Sequence, residues 1–390
     1  MNRLIVFVAL LFIVVIVSVG CDSDGNGPTG ASSDSRWEQI HLDTIIVSID
    51  SSVTPWDTVT LPLENFYSVS FLDENTGWIV GDAGDIFKTS DGGKTWNLVY
   101  RDENIWLFDV YPIDTNLIWA VGMHGSYPYQ AAIVNSVDGG LNWITTYTGN
   151  NAQFRSVKFI DALNGFIVGG SWPNGGIDSA MMRTIDGGVT WDSTYILKDR
   201  IIASVDSSVT PWDTVYKNLR VELNDLDFGG NLSGCIVGTN TTIHVTSDGG
   251  FSWTRTDSIA DSSVSYTVTF DGDLRFINLY GVDMVDDSHG WAVGSFSTIL
   301  KTTDGGITWQ RQYVDSTVFS SFRSVSFLDR NNGIAVGDGG KAVITADGGS
   351  NWEDISFQSK DANVALEDVC YLAAGKYLAV GEDMLIIISK

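Results

Sequence analysis

The chain has 390 residues, with 48 acidic against 22 basic side chains and a formal net charge of −26. A surface of that sign repels phosphate backbones, so nucleic acid is excluded as the expected partner. It favours solubility and contacts with cations or basic partners.

Residues 1–21 read as a targeting segment. Arg3 supplies the positive start, Leu4–Val19 is apolar apart from Ser18, and Ser18-Val19-Gly20-Cys21 ends the run. Small residues before a cysteine suit a lipoprotein cleavage site, which makes Cys21 the lipidation residue. Ser18 stands where such sites usually carry an aliphatic residue, and an uncleaved membrane anchor is the other reading. Both predict an exported protein. The expected location is the bacterial cell envelope, lipid-anchored at the outer membrane, with the periplasmic or surface side left open. Residues 22–36 are nearly free of apolar side chains and read as a flexible tether. Within them, Asp22-Ser23-Asp24-Gly25-Asn26 lacks the distal Glu of a calcium loop.

From residue 37 onward one motif organises the chain. Thr89-Ser90-Asp91-Gly92-Gly93-Lys94-Thr95-Trp96 recurs at Asp138, Asp186, Asp248, Asp304 and Asp347, each followed by Gly-Gly and then a Trp. The aspartates are 43 to 62 residues apart, a period that signals a propeller, solenoid or array. Each copy lies between two short apolar runs, so Asp-Gly-Gly marks a hairpin and the Trp opens the outgoing strand. Six equivalent carboxylates are expected to staple turns, since acid–base or metal chemistry has no use for six.

Trp37 looks like the Trp that follows such a turn, with its own hairpin missing. The C-terminus supplies the counterpart: residues 366–390 begin another repeat and stop where the turn would follow. Pairing the two ends gives seven blades in residues 37–390 and removes two sheet edges. The expected fold is all-β, a seven-bladed β-propeller of four-stranded antiparallel blades with the last blade closed by the N-terminal strand. Between blades, Ser51–Val59 recurs verbatim as Ser207–Val215 and loosely as Asp261–Val268, which predicts projecting β-hairpins. Insertions at 123–130 and 171–179 fall between second and third strands. Cys235 and Cys370 fall in blades across the ring from each other, so two buried free thiols are expected.

The turn motif, Ser/Thr-x-Asp-Gly-Gly-x-Thr/Ser-Trp, resembles the Asp-box or bacterial neuraminidase repeat. Joined to the block Val69-Ser70-Phe71-Leu72-Asp73 and Gly77-Trp78-Ile79-Val80-Gly81, it resembles the photosystem II assembly-factor propellers and their bacterial lipoprotein relatives. The resemblance implies an assembly or chaperone-like role for residues 37–390. Those relatives use a basic patch, to which only Arg155, Arg323 and loosely Lys158 correspond here.

In such propellers ligands meet the face opposite the box turns. Aligning the repeats puts one residue per blade at that mouth: Tyr67, Phe108, Arg155, Asn224, Tyr280, Arg323 and Glu367. The next ring (Val69, Val110, Val157, Leu226, Val282, Val325, Val369) is uniform and suits packing between blades. The mouth ring varies from blade to blade, as a binding surface would. Two arginines, three aromatics and a carboxylate fit an acidic peptide, a chain terminus or a sugar. Sialidase chemistry needs three arginines and an Arg-Ile-Pro motif, and this chain has two ring arginines and no such motif. Neither a catalytic triad nor a metal pattern appears, and His124 alone of four histidines sits near candidate ligand aromatics. The reading is a non-enzymatic, monomeric binding or assembly scaffold with a protein or peptide partner. It has no cofactor, and its membrane contact is the lipid anchor. The alternative is a carbohydrate-binding protein or glycoside hydrolase, using Trp56, Tyr127, Tyr129, Trp172 and Trp212.

Overall fold

The computed structural model describes residues 37–40, 46–50, 57–60, 65–125, 129–148, 152–171, 179–192, 200–206, 213–218, 221–256, 267–270, 273–312, 320–356, 364–373, 375–384 and 386–389. The targeting segment, the tether and Trp56, Tyr127, Trp172 and Trp212 lie outside them. Seven antiparallel sheets follow one another as blades. Blade 1 runs outward through Phe66–Phe71, Gly77–Gly81, Ile86–Thr89 and Asn97–Tyr100. The innermost strands of blades 2 to 7 are Ile105–Pro112, Ala152–Phe159, Leu223–Phe228, Leu279–Met284, Phe322–Phe327 and Leu366–Ala373. Among the described residues, blade 3 shows the bridge between Arg183 and Asp192 where its fourth strand would run.

The box turns are staples. In blade 1 the Thr89 hydroxyl donates to Asp91 Oδ1 (2.9 Å) and accepts from the Gly93 N–H (3.0 Å). Asp91 also accepts the Thr95 N–H (2.9 Å) and the Thr95 hydroxyl (2.7 Å). Gly92 and Gly93 take φ of 75° and 86°, a left-handed path that side chains resist. Trp96, fully buried, folds back and donates its Nε1 to the Gly93 carbonyl at 2.9 Å. The same bonds recur around Asp304 with Trp309.

Packing between neighbouring sheets holds the ring. Seven apolar clusters each join two consecutive blades. One sets Leu378, Val380 and Ile386 of blade 7 against Phe66, Val69 and Ile79 of blade 1, so the succession returns to its start. The uniform ring expected to pack between blades is buried at all seven positions, from Val69 to Val369. In blade 7, Ile386–Ser389 lies beside Trp37–Ile40, antiparallel, with Trp37 opposite Ser389 and Ile40 opposite Ile386.

Two inter-blade hairpins stand where the repeated segment predicts, Ile46–Asp50 with Asp57–Thr60 and Arg200–Asp206 with Asp213–Asn218. The third is displaced. Its strands are Thr267–Phe270 and Asp273–Phe276, at the end of the loose copy Asp261–Val268 and beyond it. A two-residue Asp-Gly connection, Asp271-Gly272, is the stronger hairpin signal there. Both described cysteines are free, and Cys235 is buried in the place Trp78 holds in blade 1. Cys370 is only half-buried: it packs at the edge of the cluster between blades 7 and 1 and borders the central channel.

Candidate functional site: the channel mouth

Alternation should place residues two apart on one face of a strand. Tyr67 and Val69 would then share a face, yet Val69 is buried between blades and Tyr67 is half-exposed. The pairing explains this. In blade 1 the register jumps between Phe66 and Ser68, leaving Tyr67 as the extra residue of a β-bulge. The same jump passes over Phe108, Arg155, Asn224, Tyr280, Arg323 and Glu367 in the other six blades. A bulge bends the strand and re-aims the inserted side chain. All seven expected mouth residues are therefore turned out of the ladder at one level, and all seven are half-buried.

The second-to-third-strand turns supply carboxylates to this ring. The Tyr67 hydroxyl donates to Asp82 at 2.9 Å; burial, with the Asp82 charge, raises its pKa. Tyr67 meets the Phe108 ring edge-on, with centroids 5.4 Å apart, and the Arg155 guanidinium lies 4.7 Å over Phe108. Arg155 Nε donates to Glu222 at 2.8 Å, and Gln153 donates to the same carboxylate. Across the ring, Arg323 lies over Tyr280 at 5.4 Å and donates Nε to Asp338 at 2.7 Å. Burial opposes the Arg323 charge, but Glu367 and Asp338 raise its pKa. Burial likewise lifts Glu367 above the usual carboxylate range. Asn224, between the two groups, donates to the Leu279 carbonyl at 2.7 Å. The mouth thus carries two modules on opposite arcs, each an arginine backed by an aromatic ring and oriented by a carboxylate.

Below the mouth lies a channel of about 160 Å³, lined by a polar ring that the sequence reading missed. Its upper ring is Ser68, Asp109, Ser156, Asp225, Gly281, Ser324 and Asp368, the residue after each bulge. Three aspartates there tie blades together. Asp109 accepts the Val157 N–H (2.8 Å), Asp225 that of Val282 (2.9 Å) and Asp368 that of Val69 (2.8 Å). The Ser156 hydroxyl lies 3.0 Å from Asp109 and 2.8 Å from Asp225. It has one hydrogen, so one of the two acids must carry a proton to satisfy both contacts. Burial and the Asp109 charge push Asp225 up to about 8, which makes it the proton carrier at neutral pH. Burial also lifts Asp368 to about 6. Lys158, loosely matched to the relatives' basic patch, lies one layer below the mouth ring, 2.5 Å from Asp227. Serine or aspartate before the uniform valine was the available signal for the upper ring, hidden by the bulge.

His124 packs edge-on against Tyr147, with centroids 5.3 Å apart. Among the described residues no cluster of His, Cys, Asp and Glu has metal-binding geometry.

The sequence profile of the photosynthesis system II assembly factor YCF48 matches residues 48–145 and 273–363. The photosystem II assembly lipoprotein Ycf48 of Synechococcus sp. (strain CC9902) is 26% identical over 349 residues, spanning 77% of this chain and 98% of that protein. Among solved structures, YCF48 bound to D1 peptide superposes with a TM-score of 0.61 at 16% identity, covering 92% of this chain and 98% of that one. The GH74 xyloglucanase from Xanthomonas campestris reaches 0.55 at 13% identity, over 85% of this chain and 52% of its own, which is a likeness of fold alone. By its repeats, its seven blades and these matches, the chain resembles the photosystem II assembly-factor propeller family.

Proposed function

We propose that the chain is a non-enzymatic scaffold that binds a protein partner at the channel mouth and is held at the cell envelope by a lipid on Cys21. One observation carries the binding site: the same bulge in all seven blades turns out a residue whose identity changes from blade to blade, above a ring that is aliphatic throughout, valine in six blades and leucine in one. Arg155 and Arg323, fixed from behind by Glu222 and Asp338, present guanidinium edges to carboxylate or carbonyl oxygens. Phe108, Tyr67 and Tyr280 offer apolar faces beside them. That combination suits an acidic peptide segment or a chain terminus. A relative whose structure is of a peptide complex, and another named a lipoprotein, support the partner class and the anchor.

The test is affinity capture from solubilised envelopes with the full chain and with Arg155→Ala/Arg323→Ala. Loss of specific protein partners in the double variant, at unchanged stability, is the expected result. Retention of every partner would remove the mouth from the account.

A further inference from the structure

The face opposite the mouth carries the box turns, and it is not uniform. The residue after each Gly-Gly is Lys94, Leu141, Val189, Phe251, Ile307 and Ser350 in blades 1 to 6. The staple itself makes no use of this side chain, and lysine or serine serves in blades 1 and 6. In blades 2 to 5 it is apolar and exposed: 83%, 83%, 65% and 58%. Leu163 and Leu232, also exposed, adjoin these tips, since their carbonyls accept the Gly187 and Gly249 N–H groups. Large apolar side chains thus stand exposed on the same turn of four successive blades, Phe251 with its ring over the Arg183 guanidinium at 3.9 Å, and together offer an apolar face to a partner.

The N-terminal strand indicates which one. Trp37 stands opposite Ser389, at the end of the third strand of blade 7, where Thr89 in blade 1 leads into its box turn. Trp37, which residues 22–36 precede in sequence, therefore stands on the box-turn face, the face that bears the apolar tips. Even fully extended, that stretch spans only about 50 Å.

We propose that the box-turn face rests on a lipid surface, with the turn tips of blades 2 to 5 entering the interfacial layer. This rests on the anchor reading above for its orientation. Each tip is one side chain on its own rigid turn, which suits shallow insertion at separate points. Asp114, Asp161, Asp286 and Asp329 occupy the adjacent turns between first and second strands, so the favoured surface is zwitterionic and anionic lipid weakens the contact. With the box face on the bilayer, the mouth points away from it.

The test uses the full chain on phosphatidylcholine vesicles carrying a lipid-borne quencher, with a fluorophore on Val189→Cys or, as control on the same face, Lys94→Cys. Quenching about three-fold stronger at 189 than at 94 is expected, falling to the level of 94 when Leu141, Phe251 and Ile307 are changed to Ser. Equal quenching at the two positions overturns the proposal, as does a serine variant that alters only the oligomeric state, which would mark a self-association face. The mass of the N-terminal peptide reports separately whether Cys21 carries lipid. If it carries none, saturable quenching at 189 on added vesicles still supports the docking face, and its absence overturns it.

Discussion

Asp225→Asn should flatten the pH dependence of stability. In the folded chain Asp225 keeps its proton up to about 8, whereas in the unfolded chain it ionises near 3.8. Between those values the folded state holds one proton more than the unfolded state, so stability falls as pH rises, by about 1.4 kcal/mol per unit. From pH 5 to 7 this one group removes about 2.5 kcal/mol, and Asp368, with its pKa lifted to about 6, removes about half as much again. Asparagine is the neutral isostere of the protonated acid: it can donate to Ser156 and accept from the Val282 N–H without a titration. Urea unfolding at half-unit steps from pH 5 to 8 measures the slope directly. The wild type should lose stability steadily across that range, and the variant should lose it less steeply, keeping the part that comes from Asp368 and the other acids lifted by burial, Asp109, Asp283 and Glu367. A variant as steep as the wild type, or a wild type that gains stability with pH, would refute the assignment of the proton to Asp225.

Three further outcomes follow from the fold. Trp309→Ala empties a fully buried site and breaks the bond to Gly306, and should cost about 3–5 kcal/mol in denaturant unfolding. Gly250→Ala should destabilise by at least about 1 kcal/mol, because φ is +77° there and a methyl group would stand 2.3 Å from Phe166; an unchanged unfolding midpoint would contradict that backbone path. Deleting residues 37–40 leaves the edge strand of blade 7 open along Ile386–Ser389 and should lower stability and promote oligomers, read by unfolding and light scattering.

The architecture was legible because the box spells out a local turn. Thr89, Asp91, Gly93, Thr95 and Trp96 bond to one another within one turn, and repetition did the rest. Aligning the repeats singled out the seven positions at which the bulges fall, with no knowledge of the bulges themselves. Strict alternation from Tyr67 to Val69 leaves no place for Ser68, and so concealed the ring that lines the channel. The proton shared around Ser156 was beyond any local reading, since it depends on Asp109, Ser156 and Asp225 meeting from three blades. The depth of Lys158 was beyond it for the same reason, since its partner, Asp227, comes from the next blade. The apolar box tips were visible as letters, but only burial distinguishes an exposed Val189 from a core valine.

The central claim, a polypeptide partner seated in the mouth, is tested most directly by placing a photoreactive phenylalanine analogue at Phe108, between Tyr67 and Arg155. Irradiation of intact envelopes should yield a discrete protein adduct that disappears in the Arg155→Ala/Arg323→Ala background. Adducts to glycan alone, or a protein adduct indifferent to both arginines, would contradict the account.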